Sequence, residues 1–126
     1  MNLGMLICAA LVNREITHSS FRLYAALAAV LHDRGPGFTE INVDGLKAEV
    51  PGVKGKPLGE GPLRDNLREL ERLGLIETTG RKWSKYRIHV RLVDQDGGRL
   101  AVERLQNAVV VPPELAWGPD SWRSPR

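Results

Sequence analysis

The clearest hydrophobic period in the chain lies in residues 61–92. Leu63, Leu67, Leu70 and Leu73 recur at helical spacing and share one stripe. Arg64, Asp65, Arg68 and Arg72 fall on the outward arc. Pro62 suits a first helical turn, where its missing N–H costs nothing, and Gly74 suits the position just past a helix end. The spacing therefore predicts a helix over 62–73. The period then changes from helical to alternating. Residues 75–79 read as a short strand and Gly80 opens a turn. From Ser84 onward Tyr86, Ile88, Val90 and Leu92 alternate with Lys85, Arg87, His89 and Arg91, the pattern of a half-buried strand in a hairpin.

Upstream, Thr17 is placed to cap a helix running to about Asp33. Phe21, Tyr24, Leu27, Ala28 and Leu31 form one broad face, and Leu23, Ala26 and Val30 fill much of the remainder, so this helix is expected at the centre of the core. Residues 34–37, Arg-Gly-Pro-Gly, end it, and 38–41 read as a short edge strand. Asn42 caps a second helix over 43–50, with Leu46 and Val50 facing inward, stopped by Pro51-Gly52. A Gly- and Pro-rich loop over 51–61 follows and is expected to be mobile. It is not a phosphate-cradling P-loop: Val50 stands where that motif needs Gly, and Pro57 where it needs Ser or Thr. The apolar start, residues 1–12, is too short to span a bilayer and lacks the basic opening of a secretory signal. It reads as a strand or lead-in segment over the core. Beyond an Asp-Gly turn, residues 99–106 fit either a short helix, with Leu100, Val102 and Leu105 partly buried, or the return strand of a longer hairpin. Residues 108–111 read as a strand, stopped by Pro112-Pro113.

The block Leu-Arg-Glu-Leu-Glu-Arg-Leu-Gly-Leu-Ile-Glu at 67–77, followed by a basic hairpin, resembles the second half of a winged helix-turn-helix domain. The resemblance covers roughly 16–93. It implies an α+β fold with a three-helix core and a C-terminal β-hairpin wing, in which the 62–73 helix enters a DNA major groove and the wing lies along the backbone. Residues 1–15 would then be a lead-in and 94–126 a C-terminal extension. The chain departs from the family pattern in three places. Lys47 takes the small position of the first helix of the pair, the 51–61 loop replaces a tight turn, and Glu60 and Asp65 put carboxylates where phosphates would lie. Asp65 remains able to accept from a cytosine amino group, and Arg68 lies three residues on.

The 126 residues suffice for one cored domain, and the formal net charge is only +3, so distribution matters more than total. Residues 78–93 hold Arg81, Lys82, Lys85, Arg87 and Arg91 and no carboxylate, an electrostatic footprint suited to a polyanion. Trp83, among these cations, would stack on a base or sugar, or else fold over Arg and Lys stems. The expected DNA-contacting set is Lys54, Lys56, Arg64, Arg68, Arg81, Lys82, Trp83, Lys85 and Arg87. For Lys54 and Lys56 the readings are a DNA backbone contact, a partner contact or a tolerated surface insertion.

Enzymatic signatures are missing from the sequence. His18, His32 and His89 have no metal-ligand spacing, and no Gly-x-Ser-x-Gly elbow occurs. Glu69 and Glu71 point to different sides of their helix and read as solvated charges. Cys8 is the single cysteine, so the chain holds no disulfide framework, which fits a reducing cytoplasm; its apolar setting argues for an inert thiol. No cofactor, metal or membrane is expected. The preference for Arg over Lys, with abundant Ala, Gly, Leu and Val, points to a G+C-rich bacterial genome.

The resemblance thus implies a double-stranded DNA-binding protein, a transcriptional regulator or a replication or maintenance factor of a mobile element. Homodimeric pairing of half-sites would use the segment after Asp96. Residues 111–121 can be laid without a gap on 7–17, matching Leu115 to Leu11 and Ser121 to Thr17, so the tail reads either as the start of a second winged helix or as a disordered end. The rival expectation is a docking module of the same fold that holds an acidic partner through Trp83 and the basic wing.

Overall fold

A computed structural model describes residues 1–79 and 87–113. Their order is α1 (Leu3–Leu11), α2 (His18–Leu31), β1 (Thr39–Asn42), α3 (Val43–Glu49), α4 (Glu60–Arg72), β2 (Ile76–Thr78), β3 (Arg87–Leu92) and α5 (Gly98–Val109), with a single 3-10 turn at Val53–Gly55. It is a mixed α+β arrangement in which the three strands form one antiparallel sheet ordered β1-β3-β2. Ile41 pairs with Ile88 across one seam and Ile76 with Leu92 across the other. One face of β3, formed by Ile88, Val90 and Leu92, is buried, and Arg87, His89 and Arg91 occupy the opposite face. The alternation expected from sequence therefore holds over the described part of the hairpin.

The caps explain why the helices begin and end where they do. Thr17 Oγ1 accepts from the Ser20 amide, and Asn42 Oδ1 from the Gly45 amide, so both expected N-caps are in place. At the end of α4 the Gly74 amide donates to the Glu71 carbonyl and the Leu75 amide to the Leu70 carbonyl. This is a Schellman closure, and it requires the left-handed backbone that Gly74 adopts at φ +76°. Leu75 and Ile76 drop into the core immediately afterwards. The expected helix over 62–73 thus begins two residues earlier and keeps its leucine stripe: Leu63, Leu67 and Leu70 are buried and Leu73 is partly so.

α2 crosses the middle of the molecule, with Leu23, Tyr24, Leu27, Ala28 and Leu31 buried. Val30, expected inside, is 50% exposed, because the neighbours of α2 are α1 and α4 and the sheet on one broad arc rather than all round. The Tyr24 ring is fully enclosed and its hydroxyl has no hydrogen-bond partner among the described residues. Burial pushes its phenol up to about 12.

Three expectations are overturned. Leu3–Leu11 is a helix, not a strand: Asn2 Oδ1 caps it by accepting from the Met5 amide, and Leu6 and Ala10 enter the core. The short all-apolar run hid its period, and the cap just ahead of it was the readable sign. Residues 108–111 are not a strand, since Ala108 and Val109 complete α5. Leu100, expected to be partly buried, is 59% exposed; Gly98 and Ala101 form the buried side of α5 instead. The helix alternative for 99–106 is the one observed. α5 lies on α1 so closely that a Cβ on Gly98 would stand 2.8 Å from the Met5 carbonyl oxygen.

The expected mobile loop is closed on itself. The Gly52 amide donates to the Lys56 carbonyl at 2.6 Å, Pro51 and Pro57 form an isolated antiparallel bridge, and the Leu58 amide reaches the Lys47 carbonyl at 3.3 Å. Leu58 is buried in the core, an anchor that composition alone did not reveal. Among the described residues no helix is long and apolar enough to cross a membrane.

Two substitutions test this packing. Gly98→Ala should force α1 and α5 apart and cost about 1–3 kcal/mol, read as a fall in the denaturation midpoint. Tyr24→Phe should raise stability at neutral pH by up to about 1 kcal/mol, because an unpaired buried hydroxyl is removed. In the parent the unfolded phenol ionises near 10 while the folded one holds its proton to about 12. Stability is therefore unaffected below pH 10 and declines as pH rises from 10 to 12, by on the order of 2 kcal/mol. Equilibrium unfolding across that range should show the Tyr24 part of the decline vanish in Tyr24→Phe.

Candidate nucleic-acid interface

The start of α2 is a run of hydroxyls and α4 meets it with an amide and a carboxylate. Thr17 Oγ1 donates to Glu69 Oε2 at 2.9 Å, and Ser20 Oγ also donates to that oxygen. Asn66 Oδ1 lies 3.2 Å from Ser19 Oγ and 3.1 Å from Ser20 Oγ. Ser20 has one proton and the carboxylate can only accept, so Glu69 takes it. Ser19 Oγ donates to Asn66 Oδ1, and Asn66 Nδ2 is buried with no hydrogen-bond partner among the described residues. Glu69 is thus half-buried and bonded, and Glu71 on the other flank is half-buried and accepts from Thr78 Oγ1. The expectation that both are solvated charges is corrected. Glu69 found hydroxyls from a distant segment and Glu71 one from the next strand, which helical position alone did not disclose.

This clamp lies between two adjoining clefts that share Ser19 and Asn66. One, of about 490 Å³, is walled by Pro51, Pro57, Leu58 and Pro62 and carries His18, Arg22 and Lys56, with no carboxylate in its lining. The other, also about 490 Å³, runs along the outer flank of α4 beside Thr17, with Arg68 and Arg72 and the carboxylates of Asp65 and Glu69. Arg68 and Lys56, both expected site residues, are thereby brought onto one continuous surface, together with Arg22, Arg72 and His18. These three were not expected. Their signal was faint: Arg22 and His18 sit beside the Thr17 cap, and a helix N-terminus carries partial positive charge.

Lys54 and Lys56 protrude from the closed loop and form no ion pair among the described residues. Lys54 adopts left-handed backbone at φ 56°, ψ 30°, a conformation that costs a non-glycine residue roughly 1 kcal/mol. Arg64 projects from α4, exposed, with Glu60 Oε1 at 3.4 Å. Its position is as expected, and so is the carboxylate beside it.

Arg87 is placed differently. It stands on the sheet face turned away from the helices, 3.7 Å from Glu40 on β1. Arg91 on the same face reaches Glu77 on β2 at 2.7 Å and covers the Phe38 ring at 4.9 Å. The stretch that held no carboxylate in sequence thus meets carboxylates across both seams. Arg87 does not share the α4 surface. Arg81, Lys82, Trp83 and Lys85 lie outside the described residues.

Among the described residues no three His, Cys, Asp or Glu side chains converge to hold a metal ion. No family model, curated protein or solved structure matches the chain.

The clamp predicts a specific sensitivity. Asn66→Asp would set an acceptor-only group beside Glu69 with too few protons between them. Stability at pH 7 should fall by about 1–3 kcal/mol, and the loss should shrink on acidification as a carboxylate takes up a proton. Urea unfolding at pH 7 and pH 4 checks both.

Proposed function

We propose that this chain binds double-stranded DNA as a winged helix-turn-helix protein, serving as a transcriptional regulator or as a replication or maintenance factor of a mobile element. The observation that carries the reading is the gathering of Arg68 and Arg72 on α4, Arg22 and His18 at the start of α2, and Lys56 on the closed loop around two adjoining clefts, against the carboxylates of Asp65 and Glu69. The succession α2-β1-α3-α4-β2-β3 with its three-stranded antiparallel sheet is compatible with a winged helix and supports the same reading. In it α4 is the recognition helix, with Arg64 and Arg68 facing the major groove. Lys56, Arg22 and the start of α2 meet the sugar-phosphate backbone, where helix-terminal amides favour anions. Lys82 and Lys85 are proposed to contact phosphates, with Arg81 and Trp83 beside them, whereas Arg87 stands 3.7 Å from Glu40.

A docking module of the same fold is the second reading. It is favoured by the carboxylates of Glu60 and Asp65 at the outer end of α4 and by the balanced charge of the sheet face.

A mobility shift on random-sequence duplex, titrated with salt, separates them. DNA binding predicts an affinity that falls linearly on a log–log plot, with a slope of about −0.9 per phosphate neutralised. The pair Arg22→Ala and Lys56→Ala should flatten that slope by about 2 while leaving the melting temperature unchanged. No shift at low salt from a folded protein would favour the docking module and end the DNA reading.

A further inference from the structure

On another part of the molecule, a groove of about 390 Å³ runs between the end of α1 and one flank of α5. Val12, Leu100, Leu105 and Ala108 line it, and Arg14 and Arg104 stand in its wall with no carboxylate among the lining residues. Neither arginine forms an ion pair among the described residues. Within the groove Leu100 is 59% exposed and Val12 50%. Large apolar side chains gathered in one exposed groove mark a contact surface rather than ordinary surface scatter.

Its charge decides what fits. A second copy docked through a two-fold axis would present the same patch to itself, bringing Arg14 and Arg104 of both copies into one apolar contact with no acid to match them. A partner with carboxylates flanking an apolar stripe has the opposite, complementary pattern. A groove bounded by two helices takes such a stripe in helical form. We propose that the α1–α5 groove docks an acidic amphipathic helix of another protein, whose leucine-class side chains enter beside Leu100 and Leu105 and whose carboxylates pair with Arg14 and Arg104. The site is separate from the basic surface of α4 and stands whether or not that surface binds DNA.

The test uses the full chain and a fluorescein-labelled synthetic helix of about 18 residues, long enough for helical order, with leucines on one face flanked by glutamates. A second peptide carries lysines in place of the glutamates. Anisotropy should show saturable micromolar binding of the acidic peptide only. The pair Arg14→Glu and Arg104→Glu should weaken it about tenfold or more and improve capture of the lysine peptide. Leu100→Asp should weaken binding of the acidic peptide, with unchanged circular dichroism in every variant. Equal binding of the two peptides, or no saturation by the acidic one, would overturn the proposal. So would sedimentation as a dimer that Leu100→Asp converts to monomer, because the groove would then be filled by a second copy.

Discussion

The rotation of α4 about its own axis is the constraint on which the rest of the molecule depends. Two unlike contacts set it. Leu63, Leu67 and Leu70 pull one side of the helix into the core, and Asn66 and Glu69 lock the adjacent flank to the hydroxyls of Thr17, Ser19 and Ser20. Apolar burial alone tolerates a helix that rolls by some tens of degrees, because it has no direction. Hydrogen bonds between a carboxylate and hydroxyls do not, because each has a narrow range of angle. With both in force, Arg64 and Arg68 have one outward bearing, and Arg72 is held beside the start of α2.

That lock also joins two helices far apart in sequence at the point where both carry cations. The start of α2 and the flank of α4 are joined where Ser20 and Glu69 meet, and Leu58 in the same core brings the closed loop beside them. The basic surface is therefore a product of tertiary contact rather than of any basic run in the chain. Two members of the basic run that the sequence displays behave in the opposite way: Arg87 and Arg91 find Glu40 and Glu77 across the sheet seams, and their charges are locally balanced.

These cases show what was legible beforehand. Features governed by near neighbours were readable: the Thr17 and Asn42 caps, the Gly74 closure, the leucine stripe of α4 and the alternation through Ile88, Val90 and Leu92. Where the deciding partner lay far along the chain, reading failed. The helical state of residues 3–11 is supported by α5, about ninety residues away, through the close approach of Gly98 to Met5. The roles of Glu69 and Asn66 depend on hydroxyls from the start of α2. Leu58 looked like one more residue of a loose segment until the core closed round it. The site was half legible for the same reason: Lys56 and Arg68 were chosen for their own chemistry, whereas Arg22, His18 and Arg72 acquire theirs from company.

The closed loop between α3 and α4 has a consequence of its own. Its foot is pinned twice, by the Pro51–Pro57 bridge and by Leu58 held beneath the Lys47 carbonyl, and residues 52–56, with Lys54 and Lys56, lie beyond the pins. Apex chemistry is thereby uncoupled from the bearing of α4. Descendants of this chain are free to trade charge, length or aromatic character at the apex, and so alter what the neighbouring surface prefers, while the scaffold that aims it stays put.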